Sequence, residues 1–336
     1  MPSVVVVTET EYRKAEAVFA SAPTLSCVVA PAEEDALAEA IARAGARHAV
    51  ISHRPYRGPL YAAVPRGGVL ARFGVGYENV DLARATAAGL LCTNTPGVLD
   101  QSVAELTMTL VVSAARHVPD VAAAMRARTW SPVAGIELHG KTLTIVGCGR
   151  IGRAVARIAS RGFGMRVIGC TRPPAVGEPV GDTRRADPDF ELVTSDFAEA
   201  VAGAHFVSVH VPARPENARF IDTARLAHLE HDAWLINTAR GAVLDESALY
   251  DALAGGRLGG AALDVFEREP YEPVDPSRDL RTLPNVVLTP HVGSNTTEAN
   301  RRMAERALAN IVLAEAGDID AMDLLNPEVL GKQRTR

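Results

Sequence analysis

A chain of 336 residues is long enough for two domains of ordinary size, each able to bury a core without staples. With 47% hydrophobic and 22% charged residues it is globular in composition, and a formal charge of −5 excludes a nucleic-acid binder that works through a broad basic surface. Its four cysteines, Cys27, Cys92, Cys148 and Cys170, lack the paired spacing of a disulfide scaffold or a structural zinc site, so no metal is expected. No uncharged apolar run approaches the roughly 20 residues of a membrane helix, and the amino terminus shows no signal-cleavage pattern. The expectation is a cytoplasmic protein that binds neither membrane nor nucleic acid.

Residues 4–8 begin with four valines and read as a strand, followed by strand candidates at 27–30, 49–52, 69–71 and 91–92. Between them, 33–44 puts Ala36, Leu37, Ala40 and Ile41 on one helical face and closes at Gly45, and 81–88 reads as a short helix closed by Gly89. This alternation favours a parallel sheet covered on both faces. A longer helix follows the turn Asn94-Thr95-Pro96-Gly97. Ser102 and Glu105 have capping-box spacing at its start, and it is expected to run to about residue 117 and on toward Trp130, broken near Pro119. The rhythm then restarts, with strands at 143–146, 166–169, 206–210, 234–237, 261–264 and 286–289 and helices at 151–161, 197–202, 222–229 and 246–254. That is a second doubly wound sheet. The last helix, 297–315, has no strand after it, and its natural partner is the first block. The predicted domains are therefore 1–101 with 294–336, and 102–293. Residues 332–336 read as a frayed end.

The strongest local signal is Gly147-Cys148-Gly149-Arg150-Ile151-Gly152, set between a strand and a helix. Gly147 allows a tight turn, Gly149 lets backbone approach a pyrophosphate, and Gly152 lets helix meet strand. The phosphates then face a helix N-terminus, where free N–H groups favour anions. At the end of the next strand, where an NAD site usually places a carboxylate for the ribose, stand Thr171 and Arg172. Without that carboxylate a 2′-phosphate meets no repulsion, and arginine can pair with it, so the residues lean toward NADP over NAD. Alternatively, Arg172 covers the adenine or lies in solvent.

Arg240, Glu269 and His291 stand just past the carboxyl ends of three candidate strands, where an open parallel sheet binds its ligands. Arginine grips a carboxylate or carbonyl oxygen, histidine moves a proton in the neutral range, and glutamate orients it. Singly, each is as readily a surface ion-pair member. Together, downstream of the glycine turn, they suit a 2-keto or 2-hydroxy acid. The run Gly74-Val75-Gly76-Tyr77-Glu78-Asn79 follows a strand, and its backbone N–H groups could hold a carboxylate, though an ordinary turn would look the same.

In combination, these motifs resemble the D-isomer-specific 2-hydroxyacid dehydrogenase family. The resemblance rests on residues 72–81, Asn94-Thr95-Pro96-Gly97, Ala104-Glu105, the glycine turn, Asn237-Thr238-Ala239-Arg240-Gly241, residues 262–267, Glu269-Pro270 and Thr289-Pro290-His291-Val292-Gly293. It implies an α/β fold of two doubly wound parallel-sheet domains with an active-site cleft between them. One is a Rossmann nucleotide-binding domain and the other a flavodoxin-like substrate domain. It also implies roles. Arg240 binds the substrate carboxylate and polarises the 2-carbonyl, His291 is the acid/base, and Glu269 is its partner. Val75 and Gly76 hold the carboxylate through their backbone. His210, Val211 and Pro212 pass the adenosine, Thr238 and Asp264 lie near the nicotinamide, and Arg150, Ile151 and Gly293 complete the cofactor set. A homodimer is implied as well.

The expected function is hydride transfer between NAD(P) and C2 of a small 2-keto or D-2-hydroxy acid. Thr171-Arg172 looks like the pattern of NADP-using glyoxylate/hydroxypyruvate reductases. The loop Ser52-His53-Arg54-Pro55-Tyr56-Arg57 departs from the Arg-Ser-Xaa-Thr of many relatives, and Arg54 would suit an acid with a second anionic group. One alternative is therefore a dehydrogenase of phosphorylated or phosphonate-bearing acids. Another is a non-catalytic, dinucleotide-sensing corepressor of the same fold. No long regulatory domain is expected at the carboxyl end.

Overall fold

Four consecutive valines after Ser3 make β1 (Ser3–Thr8) an interior strand of the first sheet, where Val5, Val6 and Val7 are completely buried. A strand covered on both faces has no use for alternation, so an unbroken apolar run is what its position demands. The computed structural model describes residues 2–172 and 187–333, which divide into two units. These are Met1–Leu99 with Ser294–Arg336, and Asp100–Gly293.

In the first unit β1 is joined by β2 (Leu25–Ala30), β3 (His48–Ile51), β4 (Val69–Arg72) and β5 (Leu91–Thr93). The order is β2-β1-β3-β4-β5, every pair parallel, which is the flavodoxin-like arrangement. The helix Glu34–Ala44 ends at Gly45 and the helix Leu82–Ala88 at Gly89, both glycines left-handed, with φ 60° and 75°. The helix Thr297–Ala316 packs on β4, and residues 324–326 run along β5. Thus β5 is not left as a bare edge.

In the second unit the strands are β6 (Thr142–Val146), β7 (Arg166–Cys170), β8 (Leu192–Thr194), β9 (Phe206–Val209), β10 (Trp234–Asn237), β11 (Gly260–Leu263) and β12 (Val286–Leu288). Among the described residues they form one parallel sheet in the order β12-β11-β10-β9-β6-β7-β8. Read from β8, this is the Rossmann order with one further strand, and it reverses direction between β6 and β9. One face is covered by the helices Asp100–Arg116 and Arg150–Phe163, through Leu110, Val111, Val155 and Ala159. The other is covered by apolar residues that include Val201, Leu226 and Leu249. No helix among the described residues is long and apolar enough to cross a membrane.

Several expectations need correction. β8 has only three residues, none fully buried, and carries no apolar run that would announce a strand. Ser102 does not cap: the helix already begins at Asp100, and the Ser102 hydroxyl donates to the Gly293 carbonyl at 2.7 Å. The break in the long helix falls at His117, left-handed at φ 52°, and Pro119 lies in the first turn of the next helix, Val118–Arg126. The predicted helix at 222–229 is shorter, Thr223–Leu226, with Asp222 as its cap. Of the predicted frayed end, helix Glu328–Gln333 takes in 332 and 333, while 334–336 lie outside the described residues.

Asn326 ties the returning segment to β5. Its Oδ1 accepts from the Cys92 N–H at 2.9 Å, and its Nδ2 donates to the Leu90 carbonyl and the Thr86 hydroxyl, each at 2.9 Å. Asn326→Ala strands these buried partners and should cost about 2–3 kcal/mol, read as a lower urea midpoint with an unchanged slope. A midpoint equal to wild type would show that the three bonds do not hold the segment in place.

Candidate active site

The turn after β6 shows three glycines doing three different jobs. Gly147 has φ 104°, and a Cβ on it would stand 2.7 Å from the carbonyl of His210, so the turn lies against the chain leaving β9. Gly152 is pressed into its own turn, where an added Cβ would be 2.2 Å from the Gly147 oxygen. Gly149, at the N-cap of helix Arg150–Phe163, has no atom within 4 Å of where its Cβ would be. Open space beside the free N–H groups of a helix start is a fit for a pyrophosphate.

Around this turn, Arg150 pairs through Nε with Asp100 at 3.2 Å, and burial raises the Asp100 carboxyl above its ordinary range. Ile151 is half-buried on the same helix. Thr171 is half-buried and donates its N–H to the Thr194 carbonyl, while Arg172 is exposed. His210 bonds through Nε2 to the Ser208 hydroxyl at 2.8 Å, and burial pushes its pKa down to about 4, so it is neutral at physiological pH. Val211 and Pro212 follow it out of the sheet. Thr238 is buried, its hydroxyl 2.8 Å from that of Thr107 on the helix Asp100–Arg116.

Arg240 leaves β10 on a loop closed by Asn237. The Asn237 side chain accepts from the Ala239 N–H and donates to the Arg240 carbonyl, each at 3.0 Å. The next residue has to be glycine, because a Cβ at Gly241 would lie 1.8 Å from the Phe266 carbonyl carbon. The Arg240 loop therefore rests on the Phe266–Glu267 peptide.

His291 and Glu269 meet directly, Nδ1 to Oε2 at 2.7 Å. The other Glu269 oxygen accepts from the Phe266 N–H at 3.0 Å, which fixes the carboxylate plane. His291 itself is left-handed, φ 53°. Asp264, 1% exposed, holds the turn that carries it: its carboxylate accepts from the Thr289 hydroxyl at 2.6 Å and from the N–H groups of Val292 and Gly293 at 2.9 and 2.8 Å. Its backbone carbonyl accepts from the His291 N–H at 2.8 Å. The second unit thus brings Arg240, Glu269 and His291 to the carboxyl ends of adjacent strands.

In the first unit, Val75 is half-buried and Gly76 buried. Their loop is fixed by the Asn94 side chain, which donates to the Val75 carbonyl at 2.7 Å, and by a two-way bond between Gly74 and Thr95. Arg54 is exposed, with its guanidinium 3.2 Å from Glu33.

The family model for the D-isomer specific 2-hydroxyacid dehydrogenase NAD binding domain matches residues 108–293. A glyoxylate reductase of Korarchaeum cryptofilum is 38% identical over 284 residues, 82% of this chain and 81% of the relative. The chain belongs to the D-isomer-specific 2-hydroxyacid dehydrogenase family. A D-3-phosphoglycerate dehydrogenase of Methanocaldococcus jannaschii is 42% identical over 237 residues, 69% of this chain but only 43% of that longer protein. Among solved structures, an NADPH-dependent glyoxylate/hydroxypyruvate reductase of Sinorhizobium meliloti is similar with TM-score 0.77 and 30% identity, covering 93% of this chain and 94% of that one.

This member of the family is an NAD(P)-dependent 2-hydroxyacid dehydrogenase. Its geometry suits that chemistry: the Glu269 carboxylate meets His291 at Nδ1, which orients the ring for proton transfer at Nε2, and the Arg240 loop lies at the same end of the sheet. Sequence reasoning missed the parts that carry no reactive group. Asn237 and Gly241 flank Arg240 in one motif, and their spacing to it was the available signal. Asp264 was named, from the resemblance, only as a neighbour of the nicotinamide; nothing in the sequence discloses that its carboxylate is committed to residues 289–293.

Proposed function

We propose that this dehydrogenase interconverts a small 2-keto acid and its D-2-hydroxy acid, with His291 as acid/base, Glu269 as its orienting partner and Arg240 as the grip on the substrate carboxylate and carbonyl. The observation that carries this reading is the 2.7 Å Glu269–His291 pair, whose carboxylate is itself held by the Phe266 N–H. When bound, a nicotinamide cofactor would supply or take up the hydride at C2 of the acid. For reduction, His291 donates from Nε2 to the carbonyl oxygen while Glu269 keeps the Nδ1 proton in place. Arg240 draws electron density toward that oxygen, and the Val75 and Gly76 N–H groups are assigned to the substrate carboxylate. Arg54 already faces Glu33, which favours a small acid over one with a second anionic group.

We assign the cofactor to Gly147, Gly149, Arg150, Ile151 and Gly152 at the pyrophosphate, His210, Val211 and Pro212 at the adenosine, and Thr238, Asp264 and Gly293 near the nicotinamide. Thr171 and Arg172 take the 2′-phosphate, giving a preference for NADPH. A homodimer is supported by a run of exposed apolar side chains, Val118, Met125, Trp130, Val133 and Ile136, of which Trp130 is 84% exposed.

Three measurements test these assignments. His291→Ala should lower kcat with the best of a panel of 2-keto acids by about 10²–10⁴-fold, leaving cofactor Kd within about threefold. Turnover within threefold of wild type rejects the acid/base role. Thr171→Asp with Arg172→Ala removes a charge-assisted pair and should weaken NADPH about ten- to hundredfold in direct titration while sparing NADH; tighter NADH binding by wild type overturns the NADP assignment. For assembly, wild type should sediment as a dimer at micromolar concentration and Trp130→Glu should shift it toward monomer; a monomeric wild type ends the dimer proposal.

A further inference from the structure

Glu246 opens the helix Glu246–Ala254, where an acidic residue suits the helix dipole, yet its side chain turns inward and is only 4% exposed. It forms a two-way clasp with Glu267. The Glu246 N–H donates to Glu267 Oε1 at 3.1 Å, and the Glu267 N–H donates to Glu246 Oε1. The other carboxyl oxygen, Glu246 Oε2, is buried and has no hydrogen-bond partner. Burying a carboxyl with an orphaned oxygen is costly, so a gain elsewhere has to offset it.

The gain lies in the peptide that Glu246 holds. The Phe266–Glu267 peptide is the surface on which Gly241 rests, next to Arg240, and the Phe266 N–H anchors Glu269. Two consecutive peptides that meet at Phe266 therefore back the Arg240 loop and the Glu269 carboxylate, and Glu246 accepts from the N–H of the second.

We propose that Glu246 is a positioning residue of the reaction, fixing the Phe266–Glu267 peptide and through it the placement of Glu269 and Arg240. This rests on the assignment of Arg240, Glu269 and His291 to the chemistry. The charged and titratable groups around Glu246 are Asp245 at its own helix start, Glu267, Arg268 and Glu269 on the loop after β11, Tyr271 beyond them, and Arg219. Burial pushes the Glu246 pKa up to about 7; the hydrogen bond from the Glu267 N–H opposes it, the Glu267 and Glu269 charges add to it, and Arg268 pulls weakly the other way. Above that pH its ionised form adds negative charge beside Glu269, the carboxylate that meets His291 at Nδ1. Glutamine in its place keeps an acceptor for the Glu267 N–H but cannot ionise.

The test uses the full-length enzyme, its better cofactor and the 2-keto acid that turns over fastest. Glu246→Ala should lower kcat about ten- to hundredfold, the scale of a small misplacement of reacting groups, with cofactor Kd within threefold. Glu246→Gln should recover kcat to within about fivefold of wild type, while the midpoint of kcat against pH for reduction moves at least about 0.3 unit lower. A folded alanine variant within threefold of wild-type kcat overturns the proposal, as does a glutamine variant with an unmoved midpoint. If the alanine variant does not fold, the glutamine pH profile decides alone. His291→Ala, measured in parallel, separates the two readings: wild-type turnover there sinks the site assignment, whereas an inactive His291 variant beside unaffected Glu246 variants sinks only the positioning role.

Discussion

His291 is held at φ 53°, a left-handed conformation that a residue with a Cβ adopts only where its surroundings compel it. The compulsion comes from the buried carboxylate of Asp264. A carboxylate that is 1% exposed needs donors, and the three it finds all belong to residues 289–293. The turn is thus wrapped around an anion, and the imidazole leaves it in one direction. Asp264 is fixed in its turn by the sheet, since its N–H donates to the Asn237 carbonyl at 2.9 Å. Asn237 also closes the Arg240 loop with its side chain. Two buried polar residues at neighbouring strand ends therefore link the arginine to the histidine.

The sheet explains why residues so far apart in sequence can act together. β10, β11 and β12 are neighbours, and adjacent strands lie only about 4.8 Å apart. Arg240, Glu269 and His291 follow those three strands in that order. The glycine turn follows β6, separated from β10 only by β9, and both its contact with His210 and the loops of Arg240, Glu269 and His291 lie at the same end of the sheet. A parallel arrangement guarantees this, because every strand delivers its following loop to one edge. Chemistry distributed over more than a hundred residues becomes local without any single long loop.

Legibility followed the physics of each feature. β1 was readable because a strand buried on both faces carries an almost unbroken apolar run, and β6 and β10 because apolar residues dominate theirs. Gly147, Gly149 and Gly152 were readable because only glycine meets three separate demands at that spacing. Arg240, Glu269 and His291 were placed by their positions after strands, a rule of topology rather than of composition. β8 was not readable, since three half-buried residues leave no pattern. The capping reading of Ser102 failed because its hydroxyl has a better-placed acceptor, the Gly293 carbonyl, nearly two hundred residues away in the chain. Glu246 was invisible as anything but a favourable first-turn acid. Its inward turn depends on Glu267, whose position only the folded sheet decides.

The return of residues 294–333 to the first sheet has a consequence for how the chain is made. β1 to β5 leave the ribosome first, but the helix Thr297–Ala316, which packs on β4, and the segment that pairs with β5 follow only after the whole second unit. During synthesis the second unit has all its strands while the first still lacks a covering helix and one edge partner. Domains usually complete in the order they are translated. Here that order is inverted: the nucleotide-binding unit can close first, and the valine-rich sheet made at the outset waits with exposed apolar surface for the last stretch of chain.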